Sequence, residues 1–381
     1  MAMGDNIRAE FLLEEGIAFL NHGSYGATPR AVMAAQDEWR MRMERQPVRF
    51  MARELPAALR RAASDLAGFL GADGGDLVFV ENATAGVNAV ARSVALEPGD
   101  EVLITNHVYP AVRNALSFLC RDAGATLVEA QVPFPLNHDD QVVAAVEAVL
   151  GSKTRLAVID HVTSQTAVIF PVSRLIERCR AQNIPVLIDG AHAPGMIALD
   201  VAALGADWYV GNAHKWLFSA KGCGFLWARP EHQGNLHPLV ISHGLDDGFI
   251  AEFDWVGTRD ASAWLAVSDA IAFHRCMGGQ AVMTHNRELA SWAADMLAAT
   301  WDTEIGAPRA MRGAMATVRI PGDGGNFDDA MSLHDRLHDD YEIEVPISSW
   351  YGALWVRISA QIYNTMDDYQ RLGDAVGVGK P

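Results

Sequence analysis

The sequence is poor in cysteine, in positive charge and in long apolar runs, and each shortage argues against a class of protein. Its 381 residues include four cysteines, which form neither a C-x-x-C pair nor a metal-ligand cluster, so we expect no metal site. The net charge of −17 argues against nucleic acid or an anionic membrane as a partner, because both select basic surfaces. No apolar run approaches the roughly 20 residues that a membrane-spanning helix needs.

The N-terminal residues do not combine a basic start with an apolar stretch, so we expect no secretory signal peptide. Together with the low cysteine content, this favours a cytoplasmic protein whose thiols stay reduced. A chain of this length that is 50% hydrophobic can bury the core of an enzyme with two or three domains.

Short apolar runs alternate with helical patterns through the first two thirds of the chain. This alternation predicts an α/β domain in which a mostly parallel sheet is covered by helices on both faces. The predicted strands lie at 77–80, 101–105, 126–131, 155–161, 186–188, 208–210 and 222–228.

The pattern changes after residue 230. Residues 243–260 are rich in glycine and aspartate and are predicted to form a loop, whereas 262–277 and 281–299 have helical spacing. A smaller α+β domain is predicted from a helix at 327–338 and from strands at 314–320, 343–346 and 353–359. The expected organisation is an N-terminal arm at 1–30, a large domain at 31–255, and a small C-terminal domain at 256–381 that the arm completes.

An aspartate and a lysine follow two of the predicted strands. Asp189 ends the run at 186–188, and Lys215 lies shortly after the run at 208–210, so they are 215 − 189 = 26 residues apart. Carboxyl ends of neighbouring parallel strands face one crevice, where open α/β sheets bind ligands. Pyridoxal phosphate (PLP) needs such a pair, since its aldehyde reacts with a lysine amine and a carboxylate keeps its ring nitrogen protonated. An isolated pair could equally be a helix cap and a solvated lysine.

The residues around this pair carry a family resemblance. The segments DGAHAPG (189–195) and GNAHKWL (211–217) resemble those of class V aminotransferases, which are fold-type I PLP enzymes, and look most like the isopenicillin N epimerase-like branch. The similarity extends from LNHGSYG (20–26) to RISAQIYNT (357–365). It implies PLP as cofactor, a seven-stranded sheet in the large domain, and a homodimer with shared active sites.

A strand-to-helix turn at 82–86 is a candidate phosphate site. Amide donors and the positive end of a helix dipole would meet an anion there, although Asn82 could also act as a plain helix cap. The resemblance also implies that Thr258, in a Gly-Thr pair, reaches the phosphate of the neighbouring subunit. It assigns the phosphate of the same subunit to Ala83, Thr84, Ala85, Asn212 and His214.

Further residues are candidates for the cofactor ring. Either His107 or Tyr109 is expected to stack on the ring face opposite Lys215, and the sequence does not decide between them. His192 and Ser164 are candidates for contacts with the ring or its phenolic oxygen.

Substrate contacts are predicted at both ends of the chain. Arg357 matches the arginine with which the family binds the substrate carboxylate, for which a guanidinium fork is well suited, although a structural salt bridge is the alternative. Arg49 is a second candidate for that carboxylate. The N-terminal arm would contribute Asn21, His22, Ser24 and Tyr25.

The reaction itself is open between three possibilities. All begin with Lys215 as general base at the α-carbon of an amino acid. Epimerisation or racemisation is the leading expectation, with His107 or Tyr109 returning a proton on the other face. A β-eliminating C–S lyase and an aminotransferase are the alternatives. Because no cysteine follows Cys276, desulfuration through an enzyme persulfide near Arg357 is not expected.

Overall fold

Twelve strands form three sheets in the computed structural model, which describes residues 5–377. The strands are β1 (Ala18–Phe19), β2 (Leu77–Val80), β3 (Glu101–Thr105), β4 (Thr126–Ala130), β5 (Thr154–Asp160), β6 (Val186–Gly190), β7 (Trp208–Asn212), β8 (Gly224–Ala228), β9 (Met315–Arg319), β10 (Ile343–Glu344), β11 (Ile347–Trp350) and β12 (Ala353–Ser359).

The largest sheet has seven strands in the order β2-β8-β7-β6-β5-β3-β4. The neighbours from β7 through β6, β5 and β3 to β4 are parallel, while β8 is antiparallel to both β7 and β2. This confirms the predicted seven-stranded, mostly parallel sheet. The carboxyl ends of β5, β6 and β7 therefore open at one edge.

Helices cover both faces of this sheet. Successive side chains of a strand point to opposite faces, so in β2 Leu77 and Phe79 join one apolar cluster, whereas Val78 and Val80 join another. None of the helices within residues 5–377 has the length and apolar character needed to cross a bilayer. The α-helices are Asp5–Arg8, His22–Tyr25, Arg30–Arg45, Pro47–Arg49, Leu55–Leu70, Ala83–Ser93, Pro110–Ala123, Asp140–Glu147, Val172–Arg180, Val201–Leu204, Phe249–Asp254, Ser262–Leu265, Val267–Cys276, Gln280–Trp301, Phe327–Tyr341 and Met366–Gly377; Phe50–Glu54 is a π-helix, and Gly74–Asp76, Pro230–His232 and Arg309–Met311 are 3-10 helices.

The C-terminal part of the chain builds a second core around the antiparallel sheet β11-β12-β9. Helices Gln280–Trp301 and Met366–Gly377 pack their apolar residues into it. Ala18 and Leu20 belong to the same cluster, because the short strand β1 pairs in parallel with β10. Residues 18–20 are thus joined to elements of the C-terminal part of the chain.

Three details of the predicted elements are wrong. The segment 243–260 is not a continuous loop, because the helix Phe249–Asp254 buries Phe249 and Phe253 on one side at helical spacing. The predicted helix 262–277 divides at Ala266 into two. Strand β11 was missed because its sequence, ISSW, lacks a clear alternation of apolar and polar residues.

Candidate active site

A cavity of about 480 Å³ opens at the carboxyl edge of β5, β6 and β7. It brings together residues that the sequence distributes over almost two hundred positions. The predicted site residues that line it are Ser24, Tyr25, Ala83, Thr84, Tyr109, Ser164, Asp189, His192, Asn212, His214 and Lys215.

Lys215 follows β7 and is partly buried in this cavity. Its Nζ lies 3.1 Å from Nε2 of His192. Burial, followed by the positive charge of Arg357, lowers the pKa of Lys215 to about 7, while Asp189 acts in the opposite direction. A large fraction of the amine is therefore uncharged at neutral pH, which is the form that attacks an aldehyde.

Two carboxyl groups lie side by side opposite this lysine. Asp189 near the end of β6 is paired in register with Asp160 at the end of β5, and both are buried and line the cavity. Asp189 Oδ1 accepts a hydrogen bond from the N–H of Ala191 at 3.0 Å, whereas Asp160 Oδ2 has no partner within residues 5–377. Burial raises the pKa of both groups, and the charge of Asp189 raises that of Asp160 further. Within residues 5–377 neither carboxyl group forms an ion pair, although the charge of Lys215 acts on Asp189 in the opposite direction.

Asp160 was not predicted as a site residue. The signal was nevertheless present, because β5 and β6 both end their buried run with Ile-Asp.

The helix Ala83–Ser93 begins at the cavity, as the phosphate hypothesis requires. Its N-cap, Asn82, accepts a hydrogen bond from the N–H of Ala85 at 2.9 Å, and Asn212 Oδ1 accepts one from the N–H of Ala83 at 2.8 Å. Two of the three predicted amide donors are thus already engaged. Thr84 lines the cavity, and its N–H and hydroxyl donate to no group in the described part of the chain. Thr84 is the contact best placed for an anion.

His214 lies at the same end of the cavity. Burial lowers its pKa to about 4, so the ring is neutral at physiological pH. Nδ1 lies 3.1 Å from the carbonyl oxygen of Cys223 and must donate to it, which leaves Nε2 with a lone pair. His214 can donate to a phosphate only after it takes up a proton.

The structure separates the two candidates for ring stacking. His107 is 1% exposed and does not line the cavity. Its Nδ1 lies 2.7 Å from Thr166 Oγ1, its Nε2 lies 3.2 Å from the carbonyl oxygen of Val132, and its ring packs against Trp350. Tyr109, which is 42% exposed, lines the cavity. Tyr109 is therefore the aromatic side chain that can face the ring.

Arg357 is buried and forms no ion pair within residues 5–377. One terminal nitrogen donates to the carbonyl oxygen of Ser164 at 2.8 Å, and the other donates to Asn21 Oδ1 at 3.1 Å and to Ser24 Oγ at 3.0 Å. Burial lowers the pKa of Arg357 to about 10. Among the described residues, all acceptors of this guanidinium are neutral, so a substrate carboxylate would supply the missing charge.

Arg357, Asn21 and Ala85 do not line the cavity, although Ser24 and Ser164, to which Arg357 donates, do. The remaining predicted residues also lie outside it. Arg49 is exposed and forms an ion pair with Glu54 at 3.0 Å. Thr258 is exposed and does not reach the cavity of its own subunit. His22 is fully buried, with Nδ1 2.8 Å from the hydroxyl of Tyr363 and Nε2 3.0 Å from the carbonyl oxygen of Lys215. It is not placed to touch a substrate, and instead fixes the N-terminal arm to the main chain of the lysine.

The side chains of this site that lack a partner are complementary to the functional groups of PLP. The aldehyde would meet the Lys215 amine, and a protonated ring nitrogen would neutralise the buried pair of Asp189 and Asp160. The phosphate would meet the free donors of Thr84 at the helix N-terminus. The residues present therefore fit this cofactor.

Comparisons with known proteins agree with this chemistry. A sequence model of the family described as Aminotransferase class-V matches residues 19–372. The chain is 36% identical to Putative L-cysteine desulfhydrase 1 of Oryza sativa subsp. japonica, over 97% of this chain and 85% of that protein. It is 34% identical to isopenicillin N epimerase of Amycolatopsis lactamdurans, over 97% of each chain.

The fold also has solved counterparts. The structure of a C-DES mutant with glycine covalently linked to its PLP cofactor superposes with a TM-score of 0.83, over 97% of this chain and 98% of that one. The two sequences are 19% identical, so this likeness concerns the fold.

Proposed function

Since the chain belongs to the class-V aminotransferase family and is therefore a PLP-dependent enzyme of fold type I, we propose that it catalyses β-elimination from an amino acid with sulfur on its β-carbon. One observation carries this choice over epimerisation, the leading expectation from sequence. Elimination needs one base at the α-carbon, whereas epimerisation needs a base on one face and a proton donor on the other. Lys215, the base that elimination needs, lies in the cavity; of the two candidates for the second face, His107 is buried outside it and only Tyr109 lines it.

The side chains have separate tasks in this reaction. Arg357 binds the substrate carboxylate, and Asp189 holds a proton at the ring nitrogen of the cofactor. Bound PLP supplies the electron sink for the charge that develops at the α-carbon. Lys215 Nζ accepts the α-proton, the C–S bond breaks, and sulfur leaves with the bonding electrons. L-Cysteine and water would then give pyruvate, ammonia and hydrogen sulfide, without an oxidant or a second amino acid.

The distribution of cysteines supports release of sulfide rather than its transfer to the enzyme. Cys120, Cys179 and Cys223 are buried, and none of the four cysteines lines the cavity. The hairpin β11–β12, whose second strand carries Arg357, has Ser348 and Ser349 but no thiol.

Epimerisation is the second candidate, and Tyr109 is the observation that favours it. Its side chain lines the cavity and could return a proton on the face away from Lys215. The 34% identity with an isopenicillin N epimerase supports the same possibility.

Incubation of the holoenzyme in D₂O with a panel of L-amino acids that includes L-cysteine, without any keto acid, tests the proposal. We expect sulfide and pyruvate in equal amounts. Amino acid recovered with α-deuterium in both configurations, without sulfide, would replace elimination by epimerisation. Activity only after addition of a keto acid would indicate transamination.

The variant Tyr109→Phe separates the first two outcomes independently. Elimination should persist within a few-fold, because the hydroxyl is not the base. A loss of 10²-fold or more, in the range of a missing acid–base group, would assign Tyr109 to proton transfer.

A further inference from the structure

Trp216 contacts His192, which in turn contacts Lys215, and it takes no part in the proposed reaction. It is fully buried directly after Lys215 in the sequence, and its ring centroid lies 4.9 Å from that of His22. Its indole Nε1 donates a hydrogen bond to Nδ1 of His192 at 3.4 Å. His192 in turn places Nε2 3.1 Å from Nζ of Lys215. The three side chains form a chain of hydrogen bonds that ends at the reactive amine.

The indole determines where His192 carries its hydrogen. An indole N–H only donates, so Nδ1 of His192 must be an acceptor without a hydrogen. Burial lowers the pKa of His192 well below its usual value. The imidazole is therefore neutral, and its single hydrogen lies on Nε2.

This tautomer constrains Lys215. The Nε2–H of His192 points at Nζ and has to donate to it, and an amine accepts a hydrogen bond only when it is uncharged, because an ammonium group has no lone pair. Arg357 also disfavours the ammonium form, whereas Asp189 favours it. Asp160, which lines the same cavity, is held towards its neutral form.

We propose that Trp216 is a positioning residue that holds His192 in the Nε2–H tautomer and thereby keeps the Lys215 amine uncharged and ready for the cofactor aldehyde. Without the indole N–H, the hydrogen of His192 can move to Nδ1. Nε2 would then accept a hydrogen bond from an ammonium group, so Lys215 would be protonated more readily. The proposal concerns the free lysine and is independent of which reaction follows.

Capture of PLP by the cofactor-free full-length chain measures this effect without any turnover. The second-order rate, followed by absorbance and by borohydride trapping between pH 6 and 9, reports the fraction of uncharged Lys215. We expect Trp216→Phe to move the midpoint of this profile upward by about one pH unit. Capture at pH 7 would slow by roughly five-fold, since the uncharged fraction falls from about one half to about one eleventh.

Two comparisons separate this effect from general loss of packing. Trp301→Phe is the matched control, because Trp301 is also buried and its indole donates to a main-chain carbonyl, that of Gly373, at 3.1 Å. Its midpoint should equal that of the unaltered protein. In a His192→Phe background, Trp216→Phe should cause no additional shift.

If Trp216→Phe does not fold, replacement of Trp216 by 3-benzothienylalanine removes the N–H and keeps the bicyclic shape. An unmoved midpoint in a folded variant of either kind would overturn the proposal. An equal shift in Trp301→Phe would do the same.

Discussion

At the residue scale, this site holds two basic groups, Lys215 and Arg357, and neither forms an ion pair within residues 5–377. The charge of Arg357 lowers the tendency of Lys215 to hold a charge, inside a protein whose overall charge is −17. The cavity is therefore prepared for anionic groups although the molecule as a whole is acidic. An amino-acid carboxylate and a cofactor phosphate are such groups.

Removal of the guanidinium should weaken substrate binding. We expect Arg357→Ala to raise KM by roughly 10²-fold, because a charged hydrogen-bonded pair worth about 2–3 kcal/mol is lost. Steady-state kinetics of the holoenzyme measures the change. Arg319→Ala in the neighbouring strand β9, where Arg319 pairs with Glu304 at 3.2 Å on the surface, is the control. An unchanged KM in Arg357→Ala would place the carboxylate elsewhere, with Arg49 as the next candidate.

Asp160 should make the cofactor-free protein lose stability as the pH rises. Its folded-state pKa is raised, so the folded chain keeps a proton that the unfolded chain releases above about pH 4. This contribution is complete below the unfolded pKa and is lost as the pH rises toward the folded pKa. Asp160→Asn removes it, so the stability difference in favour of the variant should grow between pH 4 and pH 8.

Denaturant unfolding at each pH measures that difference. Asp335→Asn, on an exposed helix position, provides the baseline. A difference for Asp160→Asn that stays flat with pH would contradict a proton held at this position.

At this scale the sequence predicts the residues that lie next to recognisable strand ends. Lys215 and Asp189 follow from their buried apolar runs and the segments around them. Asp160 can be recognised as a site residue only once the register of β5 and β6, which places it beside Asp189, is known. The choice between His107 and Tyr109 depends on the turn after β3, whose geometry no periodicity specifies.

At the scale of elements, the N-terminal arm is the part that completes the site. Asn21 and Ser24 hold Arg357, and His22 holds the main chain of Lys215. The arm approaches so closely that a Cβ on Gly26 would overlap the carbonyl oxygen of His214 and lie 3.0 Å from Cα of Lys215.

Gly26→Ala should therefore displace the arm. The backbone of Gly26 has φ +71° and ψ 163°, a region that costs other residues about 1–3 kcal/mol, and steric overlap adds to this cost. Gly248→Ala is the matched control, since Gly248 has φ +98° and ψ 167° but no atom within 4 Å of its added Cβ. We expect Gly26→Ala to lose more stability to denaturant, and also PLP affinity. Equal losses in the two variants would mean that the contact with Lys215 does not matter.

The regular strands and long helices could be predicted because their apolar periodicity is local. The pairing of β1 with β10 could not, since a two-residue strand has no periodicity and its partner lies at the other end of the chain. The helix Phe249–Asp254 could not be predicted either, because the glycines and aspartates around it are typical of a loop.

At the scale of the whole molecule, we propose a homodimer in which Thr258 serves the site of its partner. Thr258 is exposed, and the next residue, Arg259, is fixed by an ion pair with Glu81 at 2.8 Å. Glu81 lines the cavity, so the segment lies near the mouth of a site that Thr258 itself does not enter.

Mixed dimers of Lys215→Ala and Thr258→Ala chains test this arrangement. Lys215→Ala alone should form no borohydride-reducible imine, and Thr258→Ala alone should bind PLP more weakly. In the mixed dimer, the intact lysine of one chain would meet the intact threonine of the other, so half of the sites should regain normal PLP affinity. Weak binding at every site of the mixed dimer would contradict a shared site.

The layered architecture could be predicted from the alternation of strands and helices, which involves the whole chain and tolerates local errors. The reaction type could not, because it depends on which few side chains face one cavity. His107 and Tyr109 are two residues apart in sequence, and yet Tyr109 lines the cavity whereas His107 is buried outside it.

The contact between the N-terminal arm and Arg357 also limits the order in which parts of this protein can fold during synthesis. Asn21 is synthesised early, but its partner Arg357 lies 336 residues later in the chain. Likewise, β1 can pair only after β10 has been synthesised. The seven-stranded sheet, complete at Ala228, can form while residues 229–381 are still being synthesised. The nascent chain would thus hold a lysine-bearing sheet before Arg357 has been synthesised.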